Sequence, residues 1–174
     1  MAKQYGFYME IDKCVQCHAC EVACEAVNNV DLGVQYRRVI GMWSGQYPNV
    51  TFDTLSLACM HCGEPACQAV CPTGAIQKRA EDGIVTVDNT KCIGCHYCFF
   101  ACPFGVPQYG KDGTMQKCQL CKERLAAGQR PSCEWTCPAG AIHVGTMDEL
   151  AKLAQQNAAK RLAGATMPSV FISK

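Results

Sequence analysis

Sixteen of the 174 residues are cysteine, and they fall into four tight runs. The first holds Cys14, Cys17, Cys20 and Cys24 in CVQCHACEVAC; the second holds Cys59, Cys62, Cys67 and Cys71 in CMHCGEPACQAVCP. The third holds Cys92, Cys95, Cys98 and Cys102 in CIGCHYCFFACP; the fourth holds Cys118, Cys121, Cys133 and Cys137 in CQLCKERLAAGQRPSCEWTCP. Thiolate is a soft ligand, and crowding at this density points to metal or to disulfides. Every run opens with C-x2-C and closes with C-x3-C. On a tight turn the opening pair faces one metal centre. In a helix the closing pair lies on one face about a turn apart, so it can serve two centres on either side of a short helix. Pro72, Pro103 and Pro138 follow the last cysteine of the second, third and fourth runs, where Glu25 stands in the first. Proline cannot continue a helix whose N–H is needed, so those three turns stop there.

The third run has the bacterial ferredoxin spacing, in which three cysteines hold one 4Fe–4S cluster and the fourth ligates the other cluster of a pair. Sixteen thiolates at four per cluster give four cubanes with no ligand spare or missing. Zinc is the competing metal, and the fourth run alone has zinc-ribbon spacing; next to the third run, zinc throughout is the weaker reading. Disulfides at three-residue spacing on a turn are strained and reducible. The C-x3-C-x2-C spacing of a radical-generating cluster is absent.

Between Cys71 and Cys92, AIQK and GIVTVD read as two strands joined at AEDG. The second and third runs then make one two-cluster unit over residues 52–110, and the first and fourth pair across the chain in a second unit, residues 1–51 plus 111–145. QYGFYMEI and AIHVG suit the outer strands of that second unit. The fold expected is α+β: two bacterial-type ferredoxin-like units, each with two 4Fe–4S clusters, plus a C-terminal helix and arm over 146–174. Exchange of the last ligand predicts four sets. They are Cys14, Cys17, Cys20 with Cys137; Cys118, Cys121, Cys133 with Cys24; Cys59, Cys62, Cys67 with Cys102; and Cys92, Cys95, Cys98 with Cys71. Spacing alone also admits pairing of the first run with the second and the third with the fourth. Within the insert 28–50, VQYRRVIGMW reads as strand and SGQYPN as turn. TMDELAKLAQQNAAKRLAGA reads as a helix capped by Thr146 and Glu149 and stopped at Gly164, with Leu150, Leu153 and Leu162 near one stripe. That stripe packs on the domain or meets a partner. MPSVFISK reads as a short terminal strand or arm.

Hydrophobic residues make up 49% of the chain, roughly 40% without the cysteines, a thin core supply that cofactors would supplement. Each oxidised cubane with four thiolates carries about −2, so four move the net charge from +1 to roughly −7. Charge buried on that scale needs N–H donors aimed at sulfur; Gly63, Gly74 and Gly94 sit where the backbone would approach closely. Lys13, Lys91 and Lys117 each precede the first cysteine of a run; each is either an ordinary solvated lysine or a cation that raises a cluster's potential. His18, His61 and His96 lie inside the runs and are expected to hydrogen-bond sulfur rather than ligate iron. Trp135, Tyr97, Phe99, Phe100 and Phe104 are expected to shield clusters from water. No basic stripe points to nucleic acid, and no apolar run approaches the ~20 residues of a membrane span. The N-terminus lacks an apolar leader and a twin-arginine pair, which places the chain in the cytoplasm unless a signal-bearing partner exports it.

The stretches QYGFYMEIDKCVQCHACEVAC, CMHCGEPACQAVCPTGAI, DGIVTVDNTKCIGCHYCFFACPFGVPQY and KCQLCKERLAAGQRPSCEWTCPAGAI span about residues 4–143. Together they resemble the four-cluster iron–sulfur subunit of the dimethyl sulfoxide reductase-type molybdenum and tungsten oxidoreductases. HCGEPAC and KCQLCKERLAAGQRPSC are far more specific than a generic ferredoxin motif. The resemblance implies pairing of the first run with the fourth and of the second with the third. It also implies four 4Fe–4S clusters, since all four cysteines of the third run are kept. It implies an electron-transfer subunit with no substrate site of its own, serving a molybdenum- or tungsten-cofactor catalytic subunit and a further redox partner in anaerobic metabolism. Many relatives extend further at the C-terminus towards a membrane subunit, and the end at Lys174 leans towards a soluble assembly. The alternatives are a tungsten aldehyde oxidoreductase as the partner, a free soluble polyferredoxin, and a zinc-bound adaptor.

Overall fold

The computed structural model describes residues 3–173. Along the chain the elements are β1 (Tyr5–Glu10), α1 (Ala19–Asn28), β2 (Arg37–Gln46), β3 (Asn49–Ala58), α2 (Ala66–Ala69), β4 (Ile76–Lys78), β5 (Val85–Val87) and α3 (Tyr97–Ala101). There follow β6 (Gln108–Tyr109), β7 (Met115–Gln116), α4 (Lys122–Ala126), α5 (Ser132–Trp135), β8 (Ile142–Thr146), α6 (Met147–Gln156), β9 (Lys160–Arg161) and β10 (Val170–Ser173).

Helix length follows the residue after each last cysteine. Where Pro72, Pro103 and Pro138 stand, α2, α3 and α5 run only four or five residues. Where Glu25 stands, α1 continues for ten residues, to Asn28, with Asn29 left-handed at its C-cap. A second regularity lies in the C-x2-C turns. The residue just before the second cysteine has positive φ in all four: Gln16 (54°), His61 (40°), Gly94 (65°) and Leu120 (54°). Only Gly94 adopts it without a side-chain penalty. A Cβ on Gly94 would also stand 2.7 Å from the Gly113 carbonyl oxygen.

Four strands form the main sheet in the order β8-β1-β10-β9. β1 pairs antiparallel with β8 (Phe7 opposite Val144) and parallel with β10 (Phe7 opposite Val170). α6 covers one face of this sheet, and Phe7 and Met9 turn towards the cysteine-rich core on the other. That double cover buries Phe7 to Glu10 without alternation. β4 and β5 form the hairpin between the second and third runs, with Ile76 opposite Val87. β2 and β3 form a ten-residue hairpin. Its base, at Arg37, Ser56 and Ala58, is buried, and its distal half is exposed.

Two sequence expectations need correction here. The C-terminal helix begins at its capping box, in which Glu149 N–H donates to Thr146 Oγ1 and Thr146 N–H to Glu149 Oε2. It stops at Gln156 rather than near Gly164. Ala158 turns left-handed, and Lys160 and Arg161 instead pair with Ile172 and Phe171. Edge pairing with β10 outweighs local helix propensity. Leu150 is buried by α6, whereas Leu162 reaches the core from the end of β9, bonding Val170. The terminal segment is a paired strand inside the sheet, not an arm; Met1, Ala2 and Lys174 lie outside the described residues.

Candidate cluster-binding sites

The closing pair of each run points its two sulfurs to opposite sides of a short helix, and the cysteines regroup accordingly. Cys14, Cys17 and Cys20 line one cavity with Cys137, among Val39, Ala139 and Ile142. Cys59, Cys62 and Cys67 line another with Cys102, among Met60, Val85 and Phe104. Cys92, Cys95 and Cys98 line a third with Cys71, among Ile76 and Met115. Each void spans about 320 Å³, part of it open to solvent. Cys24 is buried facing Cys118, Cys133 and Cys121, whose charges raise its pKa further after burial itself. All four thiols of this fourth grouping are buried together.

The four quartets lie in series. Cys20 of the Cys14 quartet is raised in pKa by burial, with Cys133 of the Cys118 quartet adding to it. Cys118 is pushed up to about 12 by burial and then by Cys59, of the next quartet. Cys67 and Cys98, from the last two quartets, share one apolar cluster, and α2 packs on α3. Only Cys17 and Cys95 are exposed, one in each end quartet.

The cavity walls fit anionic iron–sulfur clusters. Polar hydrogens approach sulfur in three of the four quartets, those of Cys14, Cys118 and Cys92. Ala141 N–H donates to Cys137, Leu120 N–H to Cys118 and Met115 N–H to Cys92, each at 3.3 Å. Asn28 Nδ2 donates to Cys24 at 3.5 Å. Hydroxyl groups of Ser56 and Tyr109 lie 3.3 and 3.2 Å from Cys20 and Cys98, within donating distance, whereas the Thr166 hydroxyl accepts from the Cys62 thiol at 3.3 Å. Burial pushes Cys71 up, but N–H groups of Ile76, Thr73 and Ala75 and the Thr73 hydroxyl outweigh it and leave its pKa lowered. Such donors stabilise thiolate and clustered sulfide. Among the described residues, no three Cys, His, Asp or Glu side chains converge as a single metal ion requires. Rings of four thiols around a void suit a cage with a metal at each corner better than one tetrahedral ion.

Two cations are buried in the middle of this array. Arg37 is 2% exposed; its Nη1 donates to Ser56 O at 3.2 Å and to Ser56 Oγ at 2.9 Å, and its guanidinium lies 4.7 Å from the centre of the Phe7 ring. Lys117 Nζ donates to Val85 O and Cys118 O. Burial and then Cys59 leave Cys67 raised to about 12 against the opposing pull of Lys117. Lys117 is therefore not a solvated lysine, whereas Lys13 and Lys91 are half-exposed and pair with Glu10 and Asp88. The sequence hid Arg37: in a strand with its neighbour Arg38 exposed, nothing marks which arginine turns inward. Ser56, Asn28 and Tyr109 were equally unmarked.

The histidines depart from expectation. Among the described residues none bonds sulfur. His18 pairs with Glu21 and His143 with Glu10, both at 2.6 Å. His61 Nδ1 accepts from Val85 N–H, and burial, with Lys117 and Arg37 nearby, holds its pKa low. His96 acts one step away, stacked at 3.7 Å on Tyr109. The aromatic shield is also corrected. Tyr97, Phe99, Phe100 and Trp135 are exposed, Phe100 at 81%, and only Phe104 packs against the core. Alternate positions of such short helices face away from the cavities, so these rings lie outside.

Fold and quartets together define a ferredoxin-type protein of the dicluster class. Residues 13–76 and 50–147 match two family models, both described as 4Fe-4S dicluster domain. Over 164 residues the chain is 43% identical to the B subunit of the anaerobic dimethyl sulfoxide reductase of Escherichia coli, covering 87% of this protein and 78% of that one. It is 42% identical over 162 residues to a chain of the same organism named "Probable anaerobic dimethyl sulfoxide reductase chain YnfG", covering 86% and 77%. It is 36% identical to the formate dehydrogenase iron-sulfur subunit of Wolinella succinogenes, covering 91% and 89%. The chain belongs to the 4Fe–4S dicluster family of iron–sulfur subunits of molybdenum and tungsten oxidoreductases.

Proposed function

We propose that this chain is the electron-transfer subunit of such a complex. It would carry four 4Fe–4S clusters between a molybdenum- or tungsten-pterin catalytic subunit and a further redox partner. The observation that carries this reading is the exchange of last cysteines, with Cys137 on the cavity of Cys14, Cys17 and Cys20, and Cys71 on that of Cys92, Cys95 and Cys98. On this reading the spatial units are 52–110 and 1–51 plus 111–145, which the two sequence matches cut across. Bound in the quartets, the clusters supply one-electron redox chemistry. The chain's own residues fix the order of the centres, exclude water with Val39, Met60, Val85 and Met115, and direct N–H and O–H groups at sulfur.

Position of the exposed surface supports a subunit over a diffusible carrier. Ile93, Tyr97 and Phe100 are exposed beside the Cys92 quartet, and Val15 and Val22 beside the Cys14 quartet. Apolar collars at both ends of a series of centres suit docked partners. The α6 helix, by contrast, spends its apolar face on β1 and offers none to a partner. Among the described residues no helix is long and apolar enough to cross a membrane.

Anaerobic affinity purification from the native host, with metal analysis, tests the assignment. Molybdenum or tungsten is expected to co-purify with the iron. Iron without either metal, on a chain that elutes alone, would favour a free polyferredoxin.

A further inference from the structure

Arg37 presents an unusual balance of charge. It is fully enclosed at the base of the β2–β3 hairpin, and its Nη2 has no hydrogen-bond partner. Among the described residues no carboxylate pairs with it. A buried guanidinium without a counter-ion is strongly unfavourable. The charges that bear on it are those of Cys133, Cys118, Cys20 and Cys24; against the desolvation that lowers its pKa, they leave it raised. These sulfurs come from two different quartets, so the cation stands between the end quartet of Cys14 and its neighbour of Cys118. It is also held in place. Ser56 fixes Nη1 through two oxygens, the same Ser56 Oγ lies 3.3 Å from Cys20 Sγ, and the Phe7 ring supports the guanidinium face.

We propose that Arg37 is a positioning residue for electron transfer: an internal counter-ion that raises the reduction potentials of the two centres held by the Cys14 and Cys118 quartets above what their thiolates alone would set. The inference rests on the cluster assignment made above. One added electron makes a centre one unit more negative, and a fixed positive charge in a desolvated site stabilises the reduced form more than the oxidised one. The effect belongs to those two quartets, because among the described residues the remaining two face Lys117 or no buried cation.

The test is an anaerobic redox titration of the full-length iron-loaded chain, read by electron paramagnetic resonance. Arg37→Gln, Arg37→Met and Arg37→Lys are compared, and Cys17→Ser and Cys95→Ser mark the signals of the two end quartets. Both neutral variants are expected to keep their iron and to lower two of the four midpoints. Their reduction constants should fall at least about tenfold, which is 59 mV for one electron, while the other two move less. Arg37→Lys should keep the two midpoints within about threefold of the parent. Loss of iron from both neutral variants but not from Arg37→Lys would overturn the tuning role, since it would make Arg37 a requirement for holding the clusters rather than for setting their potentials. Unchanged midpoints in loaded neutral variants, an equal shift of all four, or the same shift or iron loss in Arg37→Lys would overturn it. Failure of the parent chain to hold 4Fe–4S clusters at all would instead sink the cluster assignment, which the iron content reports separately.

Discussion

Tyr109 shows how single side chains adjust a site that cysteines define. Its hydroxyl lies 3.2 Å from Cys98 Sγ, and its ring is pinned by the His96 stack. Burial, and then the Cys98 thiol, raise its pKa, so the hydroxyl keeps its proton and remains a donor to thiolate. Hydrogen bonds to cluster sulfur raise potential. Tyr109→Phe is therefore expected to lower one midpoint, that of the Cys92 quartet, by less than about tenfold in equilibrium constant, or under ~60 mV. Iron content should stay at the parent value; the same redox titration checks both, and an unmoved midpoint would remove Tyr109 from the account. At this scale the grouping of the cysteines proposed as ligands was legible from their spacing, because a cysteine has few other reasons to recur three and four residues apart. Tyr109, Ser56 and Arg37 were not, because a hydroxyl or a guanidinium has many ordinary uses and only three-dimensional proximity to sulfur distinguishes these three.

Elements were legible where a local rule fixed them. Proline after the last cysteine sets the short helices, and the four positive-φ residues repeat at one place in each C-x2-C turn. Thr146 and Glu149 announced the start of α6, and the capping box is formed. Thr146→Ala is expected to cost about 1 kcal/mol, a fall of roughly 2–4 °C in the thermal midpoint for a chain of this length. Because α6 covers β1 on the face away from the cysteines, the redox midpoints should not change; thermal melting of the visible absorption, beside the titration, checks both. The end of α6 was illegible, since a run of good helix formers carries past Gln156 and only the distant β10 edge diverts residues 160–162 into a strand. Aromatic placement failed for a similar reason. Sequence gives a ring's neighbours but not which side of a four-residue helix it occupies, and Tyr97 and Phe100 lie outside.

For the molecule as a whole, the arrangement is a row of four thiol quartets with Arg37 buried between the first and second, Lys117 buried between the second and third, and one exposed cysteine at each end. The row follows from the exchange rule in each run together with the β4–β5 hairpin and the β1–β8 pairing, which bring the second run to the third and the first to the fourth. Metal stoichiometry of the anaerobically isolated, full-length chain tests this most directly. About sixteen irons and about sixteen acid-labile sulfides per chain, with negligible zinc, are expected from four cubanes at four of each. A fully folded chain with half that iron or less, or with zinc in its place, would contradict the row of clusters on which the rest depends.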